Sequence, residues 1–162
     1  MTDLKYKFYL KIILIFSLIA LISAFFIEHI LGHKPCNLCL IERIPYGISM
    51  VLIITVLILK KNEKFFILLL VLTFIFSLSI SIYHFGIEQG FFQESVICSA
   101  KNFNANMTKE ELLKQLVERT VSCKDVTFMI FGLSLTSINI VLNLFFTITL
   151  TKIFFKYEKN RQ

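Results

Sequence analysis

The chain has 162 residues and is 56% hydrophobic and 14% aromatic, with a mean hydropathy of +0.75, more apolar material than the core of a soluble domain this small can absorb. Most of it has to lie in lipid. The positive excess behind the formal net charge of +6 lies in two short segments and a tail rather than on one face, so it argues against nucleic-acid binding and sets topology instead.

The first predicted element is a helix over about 10–31. Lys5, Lys7 and Lys11 precede an apolar run, as in a signal peptide, but no clear small-x-small cleavage site follows, and the segment is read as a retained membrane helix. An outer loop over about 32–41 holds the sequence KPCNLC, with Cys36 and Cys39 three residues apart. A second helix is expected over about 42–59. Starting it near Ile41 or Glu42 places Pro45 among the first amides, which lack an intrahelical partner in any case. Cys39 then stands just before a helix N-terminus, where the dipole and Arg43 both favour thiolate over thiol. Arg43 at this depth costs up to about 3 kcal/mol unless it is compensated, either by snorkelling to headgroups or by a functional partner.

A third helix is predicted over about 65–87, with His84 near its end, and a second outer loop over about 88–126 carries Cys98 and Cys123. Within that loop Thr108 and Glu111 have capping-box spacing, and Leu112, Leu113, Leu116 and Val117 recur at helical intervals, so a short amphipathic helix over about 109–119 is expected to rest on the bilayer surface. The fourth helix is predicted over about 127–151. Each apolar stretch is near the roughly 20 residues that span a bilayer as helix, and none alternates as a barrel strand would. The fold class is therefore all-α, a polytopic membrane protein built as a single four-transmembrane-helix bundle over residues 1–162.

The N-terminal segment, the 60–64 turn and the tail hold ten Lys/Arg against three acids, whereas the other side holds seven against eight. Both termini are thereby expected in the cytoplasm, with all four cysteines outside, where disulfides are tolerated. Two cysteines per outer loop suit redox chemistry, a structural staple, or a metal site completed by His33 or His84; redox is preferred because there is no second C-x-x-C.

The combination of PCNLCLIER, the four-helix layout, the two outer cysteine pairs and SCKDVTFMIFGLSLTSINIVLNL at the fourth helix resembles the disulfide bond formation protein B (DsbB) family over nearly the whole chain. The resemblance implies a bacterial inner-membrane thiol:quinone oxidoreductase that reoxidises a periplasmic, thioredoxin-like dithiol oxidase of the DsbA type. It further implies that Cys36–Cys39 is the quinone-coupled disulfide and Cys98–Cys123 the partner-facing one. Arg43 and His84 become quinone-side residues, the acceptor is ubiquinone or menaquinone, and no resident metal is expected. A disulfide-stapled membrane scaffold without turnover and a metal-handling membrane protein are the alternatives.

Overall fold

The computed structural model describes residues 3–59, 62–94, 98, 121–124, 128–130 and 132–159. Four long helices make up the bundle: α1 (Asp3–His29), α2 (Asn37–Leu59), α3 (Glu63–Glu88) and α4 (Leu135–Lys159). Their apolar spans of 24, 23, 26 and 22 residues are each long enough to cross a hydrocarbon core of about 30 Å at about 1.5 Å per residue. The chain is an all-helical, multi-pass membrane protein. The surface facing outward is correspondingly apolar, with Phe8, Ile22, Val51, Ile58, Phe76 and Val141 all exposed on it. The amphipathic helix expected over 109–119 lies outside the described residues.

Packing is centred on α3, which lies against both α2 and α4, while α1 packs on α2. In one half of the bundle Leu10, Ile53, Ile67, Leu70, Phe74, Phe146 and Leu150 close into a dry core in which no side chain is measurably exposed beyond 1%. Phe74 and Phe146 meet edge-to-face at 5.2 Å, the arrangement that ring quadrupoles favour. The far end is tied by the Tyr6 hydroxyl, which donates to Glu63 Oε2 at 2.7 Å. At the opposite end a second cluster gathers Cys36, Leu38, Ile87, Cys98 and Cys123.

The helix ends fix this second region. α3 stops in a Schellman turn: the Phe91 amide donates to Gly86 O at 2.8 Å, the Gly90 amide to Ile87 O at 3.0 Å, and Gly90 takes the left-handed φ of +77° that the turn requires. α4 begins at Leu135, later than the expected 127. A two-residue hairpin, β1 (Met129–Ile130) with β2 (Leu133–Ser134), occupies the preceding stretch, pairing Met129 with Ser134 and Ile130 with Leu133. Ser134 then caps α4, its Oγ accepting the Ser137 amide at 3.2 Å.

α2 begins at Asn37 instead of near 42, and Pro45 lies inside it. The reason is local. Cys36 acts as the capping residue, its carbonyl accepting the Leu40 amide at 3.2 Å and its sulfur accepting the Cys39 amide at 3.2 Å. A cap available five residues earlier outweighs the hydrogen bond that Pro45 cannot make, and a membrane helix tolerates such a proline when packed neighbours enclose it, as they do for the buried Pro45.

Candidate functional site

The early start of α2 changes which sulfur meets the helix N-terminus. Cys36, 5% exposed, holds the capping position, and Cys39 sits in the first turn with the two Sγ atoms 2.7 Å apart. The sequence reading gave the dipole-activated role to Cys39; the structure gives the capping bond to Cys36. The Cys36 thiol is lowered from its ordinary value to about 5, chiefly by its hydrogen bond with Cys39 and then by His84, working against burial.

Behind Cys36, α2, α3 and α4 each contribute one polar stripe. On α2, Cys39, Glu42, Arg43 and Tyr46 recur at helical spacing; on α3, Ser81, His84 and Glu88 do so; on α4, Thr136, Asn139 and Asn143. His84, 2% exposed, has Nε2 at 3.4 Å from Cys36 Sγ and Nδ1 at 2.9 Å from Glu42 Oε1. Asn139 donates from Nδ2 to Glu42 Oε2 at 2.7 Å and to Ser81 Oγ at 2.9 Å. The Tyr46 hydroxyl donates to Asn139 Oδ1, and at 3.2 Å to Asn143 Oδ1. Thr136 and Ser134 donate to the two oxygens of Glu88 at 2.5 and 2.8 Å. Ionisable groups at membrane depth are costly unless paired and hydrogen-bonded, and Glu42 and His84 are both. Glu88, Asn139 and Asn143 were not singled out from the sequence, and Glu42 only as a candidate start of α2, although polar residues at helical spacing inside apolar runs are a readable signal.

A cavity of about 400 Å³ opens between α1, α2 and α4. α1 supplies an apolar wall that includes Phe16, Ile19, Ala24 and Ile27; α2 supplies Cys39, Glu42, Arg43 and Tyr46; α4 adds Ile138, Asn139 and Leu142. Arg43 does not snorkel freely. Its Nη1 donates to Glu28 Oε2, and its guanidinium lies 5.2 Å from the centre of the Phe25 ring. His84 is absent from the cavity lining, so the structure puts it on the sulfur side of the site rather than beside a cavity ligand. Cys39 lines the cavity and Cys36 does not.

Cys98 and Cys123 are joined in a disulfide with Cα atoms 5.5 Å apart, both sulfur-bearing residues 2% exposed and in the same apolar cluster as Cys36. Glu94 Oε1 accepts the Lys124 amide at 3.1 Å and a hydrogen bond from Ser122 Oγ, holding the chain next to Cys123 against the segment leaving α3. With these two sulfurs bonded to each other, a four-cysteine metal site is not assembled.

A membrane bundle that sets a helix-capping thiol pair and a buried cystine in one cluster defines a multi-pass thiol–disulfide protein. Residues 6–153 match the family described as Disulfide bond formation protein DsbB, and the chain belongs to that family. It is 31% identical over 159 residues, 97% of this chain and 92% of the other, to the uncharacterized protein RP370 of Rickettsia prowazekii (strain Madrid E). Its activity is thus that of a disulfide-forming membrane oxidoreductase.

Proposed function

We propose that the protein is an inner-membrane thiol:quinone oxidoreductase that reoxidises a periplasmic thioredoxin-like dithiol oxidase of the DsbA type, passing electrons through Cys98/Cys123 and Cys36/Cys39 to ubiquinone or menaquinone. One observation carries this reading: Cys36 lies in the cluster with the Cys98–Cys123 disulfide, while Cys39, its neighbour at 2.7 Å, lines the cavity. A two-sulfur pair so arranged faces a disulfide on one side and a ligand on the other.

The cavity residues fit a quinone. A long apolar wall from α1 suits an isoprenoid chain, and Arg43, which has N–H donors beyond the one given to Glu28, brings polar hydrogens to a ring oxygen among apolar neighbours. When bound, the quinone supplies a sink for two electrons and two protons. That sink is required because dithiol oxidants of this type have potentials near about −120 mV, far above the roughly −300 mV of an ordinary structural disulfide.

The chain's own residues do the rest. A partner thiolate attacks Cys98 Sγ, Cys123 leaves as thiolate, and the partner's second thiolate then releases Cys98, so that the partner is oxidised and the Cys98/Cys123 pair reduced. The reduced pair repeats the exchange on Cys36–Cys39. His84 Nε2 faces the Cys36 sulfur at 3.4 Å and stabilises it as the thiolate, and Glu42 holds the ring through Nδ1. Arg43 presents its charge to the cavity where negative charge develops. Basic residues Lys7, Lys11, Lys64, Lys152 and Lys156 belong to the helix ends remote from the cysteines, which supports cytoplasmic termini and a periplasmic site.

The test is oxidation of a reduced thioredoxin-like dithiol protein by the purified enzyme under anaerobic conditions. Beyond the stoichiometric amount that the enzyme's own disulfides can oxidise, thiols should disappear only when quinone is added, one quinone per dithiol, and Cys123→Ser, whose Cys98 is left a free thiol, should form a mixed disulfide through Cys98 when mixed with the partner in its disulfide form. Equal rates without quinone, or normal turnover by Cys39→Ser, would contradict the relay.

A further inference from the structure

The sulfur side of the site has a capacity that disulfide exchange does not use. When Cys36 and Cys39 are thiols, their two Sγ atoms and a ring nitrogen of His84 lie within 4.8 Å of one another. Cys36 Sγ and His84 Nε2 are 3.4 Å apart, matching the separation of about 3.5 Å that a tetrahedral ion imposes with a metal–sulfur bond near 2.3 Å and a metal–nitrogen bond near 2.0 Å. Two sulfurs on such an ion stand about 3.8 Å apart, so the pair at 2.7 Å has to open by about 1 Å, within reach of side-chain rotation.

The second, independent feature is the Glu42 carboxylate on His84 Nδ1 at 2.9 Å. With Nδ1–H donated to Glu42, the Nε2 lone pair is turned toward the sulfurs. This carboxylate–histidine arrangement fixes the tautomer and raises the basicity of a metal-binding imidazole. Thiolate and imidazole ligands select Zn²⁺-like ions over Mg²⁺ or Ca²⁺, and three protein ligands leave a fourth position open for exchange.

We propose that the reduced Cys36/Cys39 pair and His84 form a three-ligand site for a thiophilic divalent cation of the Zn²⁺ class, which withdraws both thiolates from disulfide formation. Binding forms two metal–sulfur bonds and one metal–nitrogen bond, releases the protons that the three ligands still hold and changes no oxidation state. The oxidised enzyme offers no thiolates, so the ion captures only the reduced form and acts as an inhibitor rather than a resident cofactor. The inference needs the reduced thiols alone and stands independently of the quinone assignment.

The experiment uses full-length protein carrying Cys98→Ser and Cys123→Ser, which leaves Cys36 and Cys39 as its only thiols. The reduced protein, freed of reductant, is titrated with Co²⁺ and then Zn²⁺. One equivalent of Co²⁺ should give thiolate charge-transfer and tetrahedral d–d absorption that Zn²⁺ abolishes, and the oxidised protein should give neither. Glu42→Gln should weaken binding by about 10- to 100-fold, the usual effect of removing such an outer partner, and His84→Ala by at least as much. Zn²⁺ should also protect Cys36 from iodoacetamide, a readout that holds even if His84→Ala fails to fold. No saturable Co²⁺ spectrum in the reduced protein, unprotected Cys36, or an affinity indifferent to Glu42→Gln would each overturn the site.

Discussion

Replacing Arg43 with Gln separates two roles that the structure assigns to one side chain. The guanidinium is paired with Glu28 and lies over the Phe25 ring, and it also lines the cavity. The side chains of the ion pair are 16% and 27% exposed, between the surface case, worth about 0–1 kcal/mol, and the buried case, where stranding one partner costs about 3–5 kcal/mol. Arg43→Gln should therefore destabilise by about 1–2 kcal/mol, including the cation–π contact of about 0.5–1 kcal/mol. If Arg43 meets developing negative charge, turnover should fall far more, by about 100- to 1000-fold, the usual cost of one preorganised donor.

The double variant Glu28→Gln/Arg43→Gln decides between the two roles. It strands no carboxylate, so unfolding in detergent titrations should return toward the parent value, while quinone-dependent oxidation of a dithiol partner stays slow. Glu28→Gln alone should turn over near the parent rate, and Arg43→Lys should keep part of the activity, since it retains the charge without the planar fork. Full turnover by Arg43→Gln at saturating quinone, or recovery of turnover in the double variant, would refute the electrostatic role and leave Arg43 as half of a structural ion pair.

The Cys36 thiol, lowered to about 5, should alkylate at an undiminished rate down to about pH 6 and lose reactivity only as pH falls through about 5. The unfolded thiol binds its proton below its ordinary value of 9.0, so between about 5 and 9 the Cys36 site holds more protons in the unfolded state, and its contribution to the stability of the reduced protein, read as the difference from Cys36→Ser in the same unfolding titration, should rise with pH across that window. Ser77 is fully buried on α3 with its Oγ unpaired among the described residues, so Ser77→Ala should leave stability unchanged or raise it by about 1 kcal/mol, checked by the same unfolding titration. Asn139→Leu, which strips Glu42 Oε2 of its hydrogen bond at 2.7 Å, should destabilise by about 1–3 kcal/mol.

Four continuous apolar runs can satisfy their backbone in lipid only as helices, so helix number and fold class were determined by sequence alone. The family, too, was legible in PCNLCLIER and the second cysteine pair, because those residues are chemically unusual where they stand. The start of α2 was not, since the cap that fixes it is a sulfur, outside the usual Ser, Thr, Asp and Asn. Tertiary packing decided the rest. Glu42 and Asn139 are bonded across 97 residues, Arg43 finds Glu28 on α1, and His84 meets Cys36 rather than the cavity. A helix apolar on nearly every face gives no signal of which neighbour each face will meet. Only the way α2, α3 and α4 cross brings their sparse polar residues into one satisfied network, and only the gap between α1 and α4 makes the cavity that Cys39 lines.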